Sequence, residues 1–275
     1  MSTRMTTRST ATTASRLVLV TGASSGIGEA LARCFARDGH DLVLVARSAA
    51  KLRALAAELK AAHGVKVTVQ PADLAQPGAA KALAMALRRK RLVVDVLVNN
   101  AGVLEQGAFW AIAPERHRQM VDLNVAGLTA MLGEFVPGMR ERGWGRVLNV
   151  ASIAAFQPVP MLATYAATKA YVLSLSESLS EELLGSGVTV TALCPGITAT
   201  PMIGHAAEAN AKLSNLPGFL VGDAAEVAAE GYRACMRGEA IKVPGIVNLA
   251  STLAARATPK WLLRGLSGWV ARNSL

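Results

Sequence analysis

The chain has 275 residues and is poor in several of the residues that would point to a function by themselves. It holds three cysteines, Cys34, Cys194 and Cys235, with no CxxC spacing and no Cys/His cluster. An odd, scattered set argues against a disulfide scaffold and fits reduced thiols in a cytoplasmic setting. Its four histidines, His40, His63, His117 and His205, share no ligand spacing, so no metal is expected. No run of about 18 uncharged apolar residues occurs, so no transmembrane helix is expected. Aromatic residues are only 4%, but the hydrophobic share is 52%, enough for a large core built mainly from aliphatic side chains. The length suits one large α/β domain better than two ordinary ones.

Acidic residues are missing from both ends. Residues 1–16 carry Arg4, Arg8 and Arg16, and residues 240–275 carry Lys242, Arg256, Lys260, Arg264 and Arg272, with no Asp or Glu in either stretch. These account for +8 of the formal net charge of +10, leaving +2 for the body. Nucleic-acid binding would need the cations clustered on the body, so it is not expected. Arg88-Arg89-Lys90-Arg91 is the one internal basic run, and it reads as a solvated helix end.

Residues 1–15 are rich in Ser, Thr and Arg and have no apolar core, so they read as a disordered, untargeted leader. The domain proper is expected over 16–250, and 251–275 is a basic amphipathic extension. In that extension Leu262, Leu263, Leu266, Trp269 and Val270 fall on one helical arc, opposite Lys260, Arg264 and Arg272. Docking on the body or a partner subunit is the first reading. Weak contact of 260–272 with an anionic membrane surface is the second.

Short apolar runs alternate with helical patterns along the body. The runs are Leu17–Val20, Leu42–Val45, Val65–Val69, Val94–Val98, Arg146–Val150, Val188–Leu193 and Ile241–Val243. Alternation of this kind means βαβ units. The expected fold is a single doubly wound Rossmann-type α/β domain with a parallel sheet of about seven strands.

Thr21-Gly22-Ala23-Ser24-Ser25-Gly26-Ile27-Gly28 follows the first strand and opens a helix. Glycines there let the backbone turn tightly and approach a pyrophosphate, which the helix N-terminus attracts. Gly22, Ser24, Ser25, Gly26, Ile27 and Gly28 are therefore cofactor-binding candidates. One strand later, NAD-binding units place a carboxylate against the ribose 2′-OH. Here that position reads Ala46-Arg47-Ser48, with a guanidinium and a hydroxyl suited to a 2′-phosphate, so the expected cofactor is NADP.

From about residue 15 to 245 the chain resembles the short-chain dehydrogenase/reductase family. Thr21–Gly28 matches its TGxxxGxG, and Asp73-Leu74 its adenine-contacting pair. Asn99-Asn100-Ala101-Gly102 matches its NNAG, giving Asn100, Ala101 and Gly102 as cofactor contacts. Pro195-Gly196, with Thr198 and Thr200 beyond, matches its nicotinamide-side motif. Asn124, Ser152, Tyr165 and Lys169 match its catalytic tetrad, with Asn124 implied to support a water-borne proton relay to Lys169. The resemblance implies an NAD(P) cofactor and a homodimer or homotetramer.

Part of the chemistry comes from the residues themselves. Tyr165 and Lys169 lie four apart in a segment, Tyr165–Leu184, without proline or internal glycine, so they share one helix face. The ammonium is expected to lower the phenol pKa and to reach the cofactor ribose. Tyr165 is then the acid for reduction or the base for oxidation. Ser152 sits at the carboxyl end of a strand, where it can hydrogen-bond a carbonyl oxygen.

Substrate walls are expected from a flap, about 201–222, and from Pro158–Leu162. Both are apolar, so a lipophilic ketone, aldehyde or acyl-type carbonyl is expected as the small-molecule substrate. Two other readings stay open. One is an NAD-dependent alcohol dehydrogenase working oxidatively, and the other a cofactor-binding scaffold without turnover.

Overall fold

The computed structural model describes residues 15–200 and 221–258, together with Leu262, Leu263 and Gly265. Seven parallel strands form one sheet in the order β3-β2-β1-β4-β5-β6-β7. They are β1 (Leu17–Thr21), β2 (Asp41–Ala46), β3 (Val67–Pro71), β4 (Val96–Asn99), β5 (Gly145–Val150), β6 (Val188–Leu193) and β7 (Ile241–Lys242). Between them run α1 (Gly26–Arg37), α2 (Ala49–His63), α3 (Ala79–Arg89), α4 (Pro114–Val121), α5 (Leu128–Glu141), α6 (Ala163–Glu182) and α7 (Ala224–Arg237). A last helix, α8 (Ile246–Ala257), comes after β7.

Side chains alternate across each strand, so consecutive residues serve opposite faces. Val18, Val20, Leu42, Leu44, Val96 and Val98 pack with α1, α2 and α7, where Leu31, Phe35 and Leu52 are fully buried. Leu19, Val43, Leu97, Val147 and Val190 pack on the other face with α3, α5 and α6, around Met131 and Val172. Being covered on both faces is why these strands read as continuous apolar runs rather than as alternating ones. Each fully buried Leu or Phe contributes about 1.5–3 kcal/mol relative to exposure. The two starts that fall later than expected, at β3 and β4, come from Val65 and Val94, while β2 and β5 each begin one residue earlier. Both valines are buried, but each precedes the first ladder pair of its strand, Leu42↔Val67 and Val18↔Val96.

Chain order reverses between β1 and β4. In open parallel sheets this is where the connections diverge to opposite faces and leave a crevice at the strands' carboxyl ends. A buried polar thread crosses this region. Asn99 Nδ2 donates to Asn149 Oδ1 at 2.9 Å, Asn149 Nδ2 to Ser176 Oγ at 3.0 Å, and Ser176 Oγ to Val172 O at 2.6 Å. It joins β4, β5 and α6, the elements that carry much of the site.

Cys34, Cys194 and Cys235 are all buried and none is in a disulfide. No group of three or more His, Cys, Asp or Glu suited to a metal occurs among the described residues. No helix among them is long and apolar enough to cross a membrane. The basic run 88–91 closes α3, with Arg88 paired to Glu134 at 3.3 Å. Residues 1–14, most of the flap (201–220), and 259–261, 264 and 266–275 lie outside the described residues, so the leader, His205 and most of the C-terminal arc do too.

Candidate active site

A cleft of about 810 Å³ opens along the carboxyl ends of the strands. Its floor begins at the β1–α1 turn. Gly22 adopts φ +66°, open to glycine at little cost, and brings its carbonyl beside Asn100, whose Nδ2 donates to Thr21 O at 3.0 Å and Gly22 O at 3.3 Å. Thr21 Oγ1 donates to Val98 O and accepts from the amides of Asn100 and Ala101, so β1 and β4 end in one knot. A Cβ on Gly28 would lie 2.3 Å from Asn100 Nδ2 and 2.4 Å from Gly22 O. Gly28 therefore packs behind the turn and is not among the residues that line the cleft.

Gly22, Ser24, Ser25, Gly26 and Ile27 do line it. Ser25 precedes α1 in an extended conformation and makes no side-chain cap, which leaves the first-turn amides of α1 without a side-chain acceptor there. The cradle has the form an anionic pyrophosphate requires.

At one end of the cleft, Ala46, Arg47 and Ser48 are joined by Asp73 and Leu74 from the β3–α3 loop. Asp73 is fixed by accepting from Ala75 N at 3.2 Å. Lys51, in the first turn of α2, lines the same end and is an addition to the expected residues. Its spacing is the signal that could have found it, since position 51 lies one turn beyond Ser48, which caps α2.

At the other end stand Ser152, Tyr165 and Lys169, with Asn100, Ala101 and Gly102 beside them and Pro195, Gly196, Thr198 and Thr200 opposite. Ser152 lies just beyond β5 and accepts from Ala154 N at 3.2 Å. Its hydroxyl and that of Tyr165 share a hydrogen bond. Lys169 is buried, and its Nζ donates to Val150 O at 2.7 Å and lies 5.7 Å from the Tyr165 ring centre.

Burial governs both ionisable groups. It pushes the Tyr165 phenol up to about 12, against a smaller opposing pull from the Ser152 hydrogen bond. It pushes the Lys169 ammonium down to about 8, with Cys194 opposing. The expected lowering of the phenol by the ammonium does not appear. Lys169 faces the Val150 carbonyl, and loss of water sets the direction of the phenol.

Asn124 lies not in the cleft but behind it, in a π-helical turn, Asp122–Gly127, between α4 and α5. Its Oδ1 accepts from Val103 N at 2.9 Å, and its Nδ2 donates to Val103 O at 2.9 Å and Thr168 Oγ1 at 3.1 Å. Thr168 Oγ1 in turn donates to Tyr165 O at 2.7 Å. The amide thus ties the loop after Gly102 to the helix that carries Tyr165 and Lys169. Pro158–Leu162 is not among the lining residues, and that side of the cleft comes from Leu104, Glu105, Arg116 and Gln119. Arg116 pairs with Glu105 at 2.9 Å across eleven residues, a contact only the fold could reveal.

The buried lysine makes stability depend on pH in a set direction. Its folded value, about 8, lies below the unfolded 10.5, so between them the unfolded chain binds more proton and stability rises with pH. Cys235, pushed up to about 12, works the other way above 9. Subtracting a Lys169→Met variant isolates the lysine's contribution. The wild type should gain on this variant by about 1.4 kcal/mol per pH unit at most over that window, read from denaturation midpoints. A difference that stays flat between pH 8 and 10 would mean that the ammonium is not desolvated.

The geometry is that of a parallel α/β nucleotide-cleft enzyme with a phenol, a hydroxyl and a buried amine at one end. The chain belongs to the short-chain dehydrogenase family, whose model matches residues 16–211. It is 36% identical over 201 residues to the oxidoreductase UcpA of Escherichia coli (strain K12), covering 73% of this chain and 74% of that one. A short-chain dehydrogenase from Sphingobium yanoikuyae in complex with NADPH superposes with a TM-score of 0.78 at 36% identity, covering 88% of this chain and 93% of that one. A bulky-bulky ketone specific alcohol dehydrogenase from Comamonas testosteroni superposes at 0.75 with 30% identity, covering 90% and 96%. The protein is an oxidoreductase of this family, acting on the CH–OH/C=O pair.

Proposed function

We propose that the protein is an NADPH-dependent reductase of a lipophilic ketone, aldehyde or acyl-type carbonyl. The observation that carries this reading is that Ser152, Tyr165 and Lys169 share a cleft with Arg47, Ser48 and Lys51 at its other end. The residues fit a dinucleotide, with a glycine turn that leaves no room for a Cβ at Gly28 and a distal end bearing two cations and a hydroxyl. Bound there, the nicotinamide supplies the hydride that reduces the carbonyl carbon.

The chain's own residues do the rest. Ser152 Oγ hydrogen-bonds the carbonyl oxygen and stabilises its developing charge. Tyr165 Oη donates the proton to that oxygen. Burial raises the phenol, so it carries its proton through the neutral range, the state the acid role in reduction requires. Lys169, buried beside the phenol with its Nζ on Val150 O, would hold the ribose. Asn124 positions α6 against the loop after Gly102. Arg47 and Lys51 would hold the 2′-phosphate, and no acidic residue stands in the first turn of α2 to repel it.

The likeness to an NADPH complex and to a bulky-bulky ketone specific enzyme supports both halves of the reading. A homodimer or homotetramer is the working assembly that family membership supports, and the cytoplasm is its proposed setting. The test is NADPH consumption across carbonyl classes. Bulky apolar ketones should be turned over in preference to sugars and small 2-oxo acids, and the reverse order would refute the substrate assignment.

A further inference from the structure

Two side chains on the helical stretch after the β4 loop make matching pairs of contacts. Asn124, in the π-helical turn, binds the Val103 carbonyl and the Thr168 hydroxyl. His117, on α4, binds the Phe109 carbonyl through Nε2 at 3.1 Å and the Thr164 hydroxyl through Nδ1 at 2.8 Å. Thr164 and Thr168 lie one turn apart on α6, and each directly precedes an ionisable group of the cleft, Tyr165 and Lys169. Each bridge thus ties one carbonyl of the loop after Gly102 to one turn of α6. Asn124 serves the turn of Lys169, and His117 serves the turn of Tyr165.

The chemistry of His117 suits a fixed bridge. A carbonyl oxygen only accepts, so Nε2 carries the hydrogen and donates to Phe109 O. In the neutral ring Nδ1 is then the acceptor, and the Thr164 hydroxyl donates to it. The Phe109 ring packs on the imidazole, with ring centres 4.4 Å apart. A further tie holds the same loop, since Gly107 N donates to Met161 O at 2.9 Å. Met161 takes φ +68°, a conformation that a residue with a side chain keeps only where its surroundings hold it. Leu104 and Glu105, which line the cleft, lie between the two anchored carbonyls. Slack at His117 would reach both the turn of Tyr165 and this wall of the cleft.

With Tyr165 as the acid of the reductase proposed above, we infer that His117 is a positioning residue for the reaction. It is not among the residues that line the cleft, so it acts through others. Through Thr164 and the Phe109 carbonyl it sets how the phenol's turn stands against the substrate-side loop. The phosphate cradle and Arg47 belong to other elements, so NADPH affinity should not depend on it.

The test compares His117→Ala, His117→Gln and Thr164→Val in the full chain, with kcat expressed per NADPH-binding site so that unfolded protein is not counted. Glutamine keeps a donor and an acceptor, and valine keeps the shape of threonine without its hydroxyl. His117→Ala should lower kcat on a bulky apolar ketone about ten- to a hundredfold while NADPH affinity stays within about twofold. His117→Gln should recover most of the loss. Thr164→Val should also lower kcat, and combining it with His117→Ala should add little, because the two side chains share one bridge. Amide exchange of segments 103–111 and 161–166 needs no turnover and should speed up at least about tenfold in His117→Ala. Wild-type kcat per site in His117→Ala, or a loss that glutamine does not recover, would overturn the proposal. A wild type without turnover on any carbonyl would fail the reductase reading instead. Exchange alone would then judge the bridge, and unchanged exchange in His117→Ala would overturn it.

Discussion

Tyr165→Phe is expected to cut turnover by between about a hundredfold and ten-thousandfold, the range in which a positioned acid contributes. Only one oxygen is removed. The ring keeps its place in α6, the hydroxyl's shared hydrogen bond goes to Ser152, and the helix is otherwise held by Asn124 through Thr168. Cofactor affinity and unfolding midpoint should therefore stay near wild type while kcat collapses. That separation distinguishes a lost acid from a damaged fold. Near-normal turnover would remove Tyr165 from the proton transfer.

Arg47→Ala carries the second large effect. Arg47 is exposed at the end of β2 and lines the cleft, so its removal leaves the core untouched. A charge-assisted contact from guanidinium to phosphate is worth about 1.5–3 kcal/mol, or about 10- to 150-fold in affinity. NADPH binding should weaken by that factor and NADH binding hardly at all, in fluorescence titrations with each. Lys51 remains nearby, so the loss should sit toward the lower part of the range, and adding Lys51→Ala should extend it. An equal loss for both cofactors would sink the 2′-phosphate assignment.

Much of the fold and site can be read from the residues because their signals are redundant. Seven apolar runs alternating with helical patterns define a doubly wound parallel sheet, and the order Thr21–Gly28, Ser152, Tyr165, Lys169 leaves little choice of chemistry. What cannot be read there depends on contacts distant in sequence. Val65 and Val94 look like strand residues because they are buried, yet no partner residue stands opposite them in the ladder. The Arg116–Glu105 pair and the seat of Gly28 behind Asn100 exist only once loops from different strands converge. The i, i+4 spacing of Tyr165 and Lys169 puts both on one helix face, but spacing says nothing of solvation. Loss of water on burial decides which way each group titrates. Likewise the start of α8 at Ile246, ahead of the extension expected from 251, and the exposure of its Ile246, Val247 and Leu253 emerge only in the structure.

Reduction of a carbonyl by NADPH at these cleft residues has a direct isotopic signature. NADPH deuterated at its transferable position is incubated with a bulky apolar ketone, and the product is analysed by mass. One deuterium should appear on the carbinol carbon for each NADPH consumed, with the wild type active and Tyr165→Phe nearly silent. NADPH that binds but is neither consumed nor traced into any alcohol, across every carbonyl class offered, would refute the reductase and leave a cofactor-binding scaffold in its place.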